Sequence, residues 1–138
     1  MCLILLAWRQ LPEFPVLIAA NRDEFHQRPT LAARTWPEFP GLVAGRDLQA
    51  GGTWLGVTRA GRFAGVTNYR DPLAPAGDWS RGRLCLDFLT GSLPAADYLG
   101  GLRPHRHRFS GFNLLLGDRH RAWYYSNRED RITELEPG

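Results

Sequence analysis

Apolar and polar positions come in blocks along this chain, and the first two blocks set the problem. Cys2–Trp8, "CLILLAW", is continuously apolar and rich in Leu, which predicts a central strand. "RQLPEFP" then turns the chain, since Pro12 and Pro15 interrupt regular structure. A second apolar run, Val16–Ala20, continues into Asn21-Arg22-Asp23-Glu24. The short connection predicts that residues 16–24 return antiparallel to residues 2–8. Burying such polar groups without partners costs several kcal/mol each. Either a strand merely reaches water here, or something nearby needs those side chains.

Further along, residues 26–40 carry Pro29, Pro37 and Pro40 and read as an irregular loop. "LVAGRD" predicts a short strand over 42–47. Thr53–Thr58 and Arg62–Tyr69 predict a hairpin around Gly61. A Pro/Gly-rich connection over 71–79 leads to a helix in "SRGRLCLDFLTG". Its apolar face is Leu84, Phe88 and Leu89, with Leu86 less well placed, Ser80 as N-cap and Gly91 as stop. "PAADYLGGL" predicts a second, weaker helix with Pro94 at its first position. "FNLLLGD" and "AWYYSN" read as another hairpin, and "RITELEPG" begins a further strand. Strands, then helices, then strands argue for an α+β layered fold. The sequence stops at Glu136-Pro137-Gly138, just after a strand signal, as though cut at a turn.

Composition narrows the classes. At 138 residues, with 43% hydrophobic and 22% charged positions, the chain suits one globular domain over 1–138. A net charge of +3 and no basic run longer than "RPHRHRF", read as a solvated loop, leave no expectation of nucleic-acid binding. No segment approaches the roughly 18 apolar residues of a membrane span. "MCLILLAW" lacks the basic flank and cleavage site of a signal peptide. Cys2 and Cys85 make neither a disulfide framework nor a metal spacing, so a cytoplasmic location is expected.

Cys2 is the sharpest chemical feature. Removal of Met1 would leave a thiol and a free α-amine on one residue. An α-amine with a reference pKa of about 7.7–8.0 is an available base near neutrality. A thiolate is a strong nucleophile. The plainer alternative is a small buried residue at the head of a strand. If the two apolar strands pair, Asn21–Glu24 lie beside Cys2, where a carboxylate could orient the amine and an arginine could stabilise a thiolate. Strand alternation would then let only Asn21 with Asp23, or Arg22 with Glu24, face it, unless the strand ends or bulges here. The alternative for these residues is a surface ion network of little energetic weight. Asn68, in "GVTNYR", ends an apolar strand where its amide could donate to an oxyanion, or where it simply serves the following turn. His26 reads as a loop residue, and His105 and His107 lack a third ligand. Cys85 reads as core, and Trp36, Trp54, Trp79 and Trp123 as core and loop anchors.

Taken together, "MCLILLAW", "AANRDEFHQRP", "LVAGRDLQAGGTWLGVTRAGRFAGVTNYRDP", "SRGRL" and "FNLLLGD" resemble the NRDE family, also described as transport and Golgi organization 2 homologs. The resemblance covers most of residues 1–128. It implies an N-terminal nucleophile (Ntn) hydrolase-like sandwich of antiparallel sheets between helices, of which this chain is similar to an N-terminal portion. Cysteine members of that superfamily, such as penicillin V acylases and bile-salt hydrolases, begin at a cysteine after Met removal and carry an Arg-Asn-x-Asp segment. Asn21-Arg22-Asp23 matches its Asn-x-Asp part, so Asp23 would touch the Cys2 amine. Ala20 stands where the pattern has arginine, with Arg22 as a possible substitute. Asn68 is similar in placement to an oxyanion asparagine. Two functions follow from the resemblance. One is hydrolysis of a small amide or acyl (thio)ester, which requires no cofactor. The other is haem or lipid (acyl-CoA) binding and trafficking on the same scaffold. A third reading, from the residues alone, is an interaction domain in which the NRDE segment is structural.

Overall fold

Leu3–Leu11 (β1) and Phe14–Asn21 (β2) pair antiparallel, as the short connection between them predicts. The computed structural model describes residues 1–138. Leu3 stands opposite Asn21 and Trp8 opposite Val16, which brings the exit of β2 to Cys2. Only Pro12 and Glu13 form the turn, and Pro15 lies inside β2. The ladder shifts between Trp8 and Leu11, where Arg9 adopts a φ of 54°. A residue without an N–H is tolerated at such an irregularity on an edge, so the pair runs past its proline.

The other strands form a seven-stranded antiparallel sheet whose spatial order follows the sequence. They are β3 (Thr30–Trp36), β4 (Phe39–Asp47), β5 (Leu55–Thr58), β6 (Phe63–Asn68), β7 (Phe112–Gly117), β8 (Ala122–Ser126) and β9 (Arg131–Leu135). The expected loop over 26–40 is therefore mostly a hairpin of β3 with β4. Its prolines avoid the ladder: Pro29 precedes β3, Pro37 lies in the turn, and Pro40 sits where neither neighbour is in register with it.

Helices α1 (Gly82–Thr90) and α2 (Ala95–Leu102) connect β6 to β7. Arg81, not Ser80, occupies the N-cap of α1, although Ser80 Oγ accepts the Gly82 N–H at 3.3 Å. Pro94 caps α2 from one residue before the position expected for it. "RPHRHR" is a 3-10 turn over Arg103–Arg108 instead of a free loop. Ion pairs of Arg103 with Asp130 at 2.9 Å and Arg108 with Asp78 at 2.6 Å hold it.

Strand alternation divides the apolar residues between the two faces of the large sheet. Ala64, Val66, Leu114, Leu116 and Tyr125 point to the helices and pack with Leu84, Cys85, Phe88 and Leu99. On the opposite face, Phe63, Leu115 and Ala122 meet Trp8, with Ile4, Leu6, Val16 and Ile18 around them. The β1–β2 ribbon thus covers one face and the helices the other, an α+β arrangement of mostly antiparallel strands. Gly65 permits the close crossing of β1 over β6: a Cβ there would lie 2.8 Å from Ile4 Cδ1.

Candidate active site

β2 ends at Asn21, so the alternation expected through Glu24 does not hold. Asn21, Arg22, Asp23 and Glu24 all line one cleft with Cys2, of about 370 Å³. The single-pair restriction held only for a strand that continued, and because β2 stops here the released segment turns successive side chains toward the same space.

The thiol of Cys2 is bracketed by the main chain of Asp23. The Asp23 N–H donates to Sγ at 3.3 Å, and the thiol reaches the Asp23 carbonyl at 3.8 Å. The Asp23 carboxylate accepts a hydrogen bond from the amino-terminal ammonium, here that of Met1, and Arg70 Nη2 stands 3.4 Å from it. That ammonium holds the Asp23 carboxyl below the usual carboxylate range, with Arg70 adding to the effect and some desolvation opposing it. Asn21 Nδ2 donates to the Met1 carbonyl at 2.9 Å, the carbonyl of the bond that methionine removal would hydrolyse. Asn68 closes β6 at the rim of this cleft and of a second one, of about 320 Å³, which also includes Cys2, Asp23 and Arg70.

Arg22 makes no hydrogen bond to the thiol. Its guanidinium lies 4.5 Å from the Trp54 ring centroid and 3.7 Å from Glu24. Arg28 bridges the same Glu24 at 3.7 Å and Asp47 at 2.6 Å. A different arginine, which sequence reasoning missed, fills the remaining wall. Arg81 reaches the cleft from the N-cap of α1 and donates through Nη1 to the Gly111 carbonyl at 3.0 Å. Burial pulls its pKa below the ordinary value, while the charges of Cys2 and Glu24 act to keep the proton on. The start of α1 comes this close because Gly52 has no side chain: a Cβ there would meet Gly82 C at 2.5 Å. The available signal was "SRGRL", quoted above for the resemblance but treated as the head of a helix.

The tryptophans are core anchors, as expected, but two of them have a second surface. Trp54 and Trp79 pack on the main core and also wall the cleft. His26, His105 and His107 are exposed and stand apart from the cleft. Cys85 is fully buried, which pushes its thiol far above the ordinary range and leaves it inert as a nucleophile.

The model of the family described as "Transport and Golgi organisation 2" matches residues 1–138. The chain belongs to that family. It is 34% identical over 151 aligned residues to the Transport and Golgi organization protein 2 homolog of Bos taurus, and 36% over 154 to that of Homo sapiens. Each alignment takes in 100% of this chain and 55% of the relative. The Transport and Golgi organization protein 2 of Drosophila melanogaster is 30% identical over 99 residues, covering 65% of this chain and 35% of that protein. The chain thus spans about half the length of the first two Transport and Golgi organization 2 relatives. As for membranes, no helix of this family member is long and apolar enough to cross one.

Proposed function

We propose that the protein is an Ntn-type cysteine hydrolase acting on a small amide or acyl (thio)ester, with Cys2 as nucleophile once Met1 is removed. Under this reading the two layers of strands and the helices are part of an Ntn-hydrolase-like sandwich. The observation that carries the reading is the double engagement of Asp23. Its N–H points at the Cys2 sulfur while its carboxylate takes the amino-terminal ammonium. The N–H fixes the position of the sulfur beside the amino terminus. The carboxylate would hold the Cys2 amine in place of the Met1 amine.

The chemistry then runs as follows. The free amine takes the proton from Sγ, and the thiolate adds to the substrate carbonyl carbon. The negative charge on oxygen is met by an amide donor, Asn68, with Asn21 available once the Met1 carbonyl has gone. Collapse breaks the bond to the leaving group, which takes the proton from the ammonium. Water, deprotonated by the same amine, cleaves the acyl-thioester and returns the thiol. Intact mass together with iodoacetamide labelling tests the reading. A processed protein is expected to label at Cys2, and Cys2→Ser or a form that retains Met1 to lose both labelling and turnover. Equal labelling of the Met1-retaining form removes the activated nucleophile.

A second reading is favoured by one further observation. On the β1 side of Cys2, a groove of about 380 Å³ is lined by Leu3, Ile4, Leu6, Leu115 and Leu135, with Thr67, Asn113 and Tyr124 as its polar members. It suits a lipid acyl chain, or haem with Cys2 as an iron ligand, in a protein that carries rather than cleaves. Titration of haem into wild type and Cys2→Ser separates the two: a Cys2-dependent absorption shift supports the carrier, and the absence of a shift in both proteins removes its haem form.

A further inference from the structure

Every carboxylate of the cleft is engaged by a cation, and one arginine of the cleft is left without a carboxylate in contact. Asp23 is taken by the amino terminus and Arg70. Glu24 lies between Arg22 and Arg28, and Asp47 belongs to Arg28. Asp78 is held by both Nε and Nη2 of Arg108, at 3.0 and 2.6 Å. Arg81 alone among the arginines of the cleft has no carboxylate within ion-pair distance; its one protein hydrogen bond goes to a backbone carbonyl. It is half-buried, and it shares the cleft with the Cys2 thiol. Glu24 acts on this partly desolvated guanidinium only from beyond ion-pair distance, so the position suits a ligand that brings an anion into contact with it.

We propose that Arg81 is the specificity residue of the cleft, and that the acyl group presented to Cys2 carries a carboxylate which pairs with its guanidinium fork. A planar fork matches a planar carboxylate through two parallel hydrogen bonds. One unmatched positive charge also suits a monoanion better than a phosphate dianion, because Arg22 and Arg28 are already engaged by Glu24 and Asp47. Burial depresses the Arg81 pKa without removing its charge at neutral pH, since arginine starts so high. The proposal rests on the reading of Cys2 as the reactive thiol.

Two reagents of nearly the same size test it: iodoacetate, which is anionic, and iodoacetamide, which is neutral. Rates of Cys2 alkylation are compared for processed wild type, Arg81→Gln and Arg81→Lys, at a pH above the ~8.5 of an ordinary thiol, so that thiol ionisation does not enter the ratio. Arg81→Gln is expected to slow iodoacetate about tenfold and iodoacetamide less than about twofold, the difference a charge-assisted contact supplies. Arg81→Lys is expected to restore part of the iodoacetate rate, since it keeps the charge and loses the fork. Equal slowing of both reagents by Arg81→Gln, or no slowing of either, overturns the assignment while leaving Cys2 as the nucleophile. Inorganic phosphate that protects Cys2 from iodoacetate better than propionate does would overturn the choice of a carboxylate. Wild type that labels with neither reagent removes the nucleophile, and this proposal with it.

Discussion

The two faces of the seven-stranded sheet are covered in different ways. The helix side is a continuous cluster of 17 buried residues, closed by edge-to-face contacts among Phe109, Phe112 and Tyr125. The ribbon side buries only Trp8, Phe63, Leu115 and Ala122, and it turns polar toward Cys2. There Tyr124 donates to Asn113 and Asn113 to Thr67, at 2.9 and 3.3 Å. Apolar burial scales with area, so most of the stabilisation resides on the helix side. The side that holds the thiol is thinner and more open. The lesson is that one sheet can separate the work of staying folded from the work of shaping a cleft around a thiol.

Mutations on the two faces should separate accordingly. Phe88→Ala removes a ring buried between α1 and the sheet, and should destabilise by about 3–5 kcal/mol in denaturant titrations. Under native conditions it should leave the Cys2 alkylation rate unchanged; a large change there would mean that the two faces are coupled. Asp47→Asn comes next, at about 1.5–3 kcal/mol, because Asp47 is buried and accepts two hydrogen bonds from Arg28.

The effect of Asp47→Asn should depend on pH. Its hydrogen bonds with Arg28 hold the native carboxyl below its ordinary value of 3.8. The contribution is therefore fully present above the unfolded value and is lost as pH falls through the lower native one. Denaturation midpoints of wild type and Asp47→Asn should converge below about pH 4. A difference that persists in strong acid would refute the ion pair as its source. The smallest change in stability is expected from Gly65→Val, about 1–2 kcal/mol, since the new methyls push on the flexible end of Ile4. Yet it displaces β1, so Cys2 alkylation should change severalfold. Stability and reactivity that fall in parallel across all three variants would abolish the distinction between the faces.

What could be read in advance followed from local rules. The brief connection between β1 and β2 allowed only an antiparallel return, so the meeting of Cys2 with the Asn21–Glu24 segment was legible in the order of residues, while Asp23 in particular was singled out by the family resemblance. Likewise the hairpin around Gly61 announced itself, because its φ of 90° calls for glycine. β3 escaped because its neighbouring prolines were counted as breakers, when each occupies a place that needs no ladder hydrogen bond. Arg81 escaped for a different reason. Its place in the cleft depends on Gly52 meeting Gly82 across 30 residues of chain, a contact with no periodic signature. Local pattern finds partners joined by a turn; it does not find those brought together by tertiary packing.

The ribbon has one more consequence. β1 is paired along its length with β2, exchanges two main-chain hydrogen bonds between Trp8 and Gly138 beyond β9, and otherwise rests on the large sheet through a handful of side chains. A unit so lightly attached can detach without melting the rest. Amide exchange at residues 4–8 should then outpace that at 63–67. The end of the chain that carries Cys2 would have a breathing motion of its own, and access to its sulfur would be governed by the link over 22–29 between β2 and β3, independently of overall thermal stability.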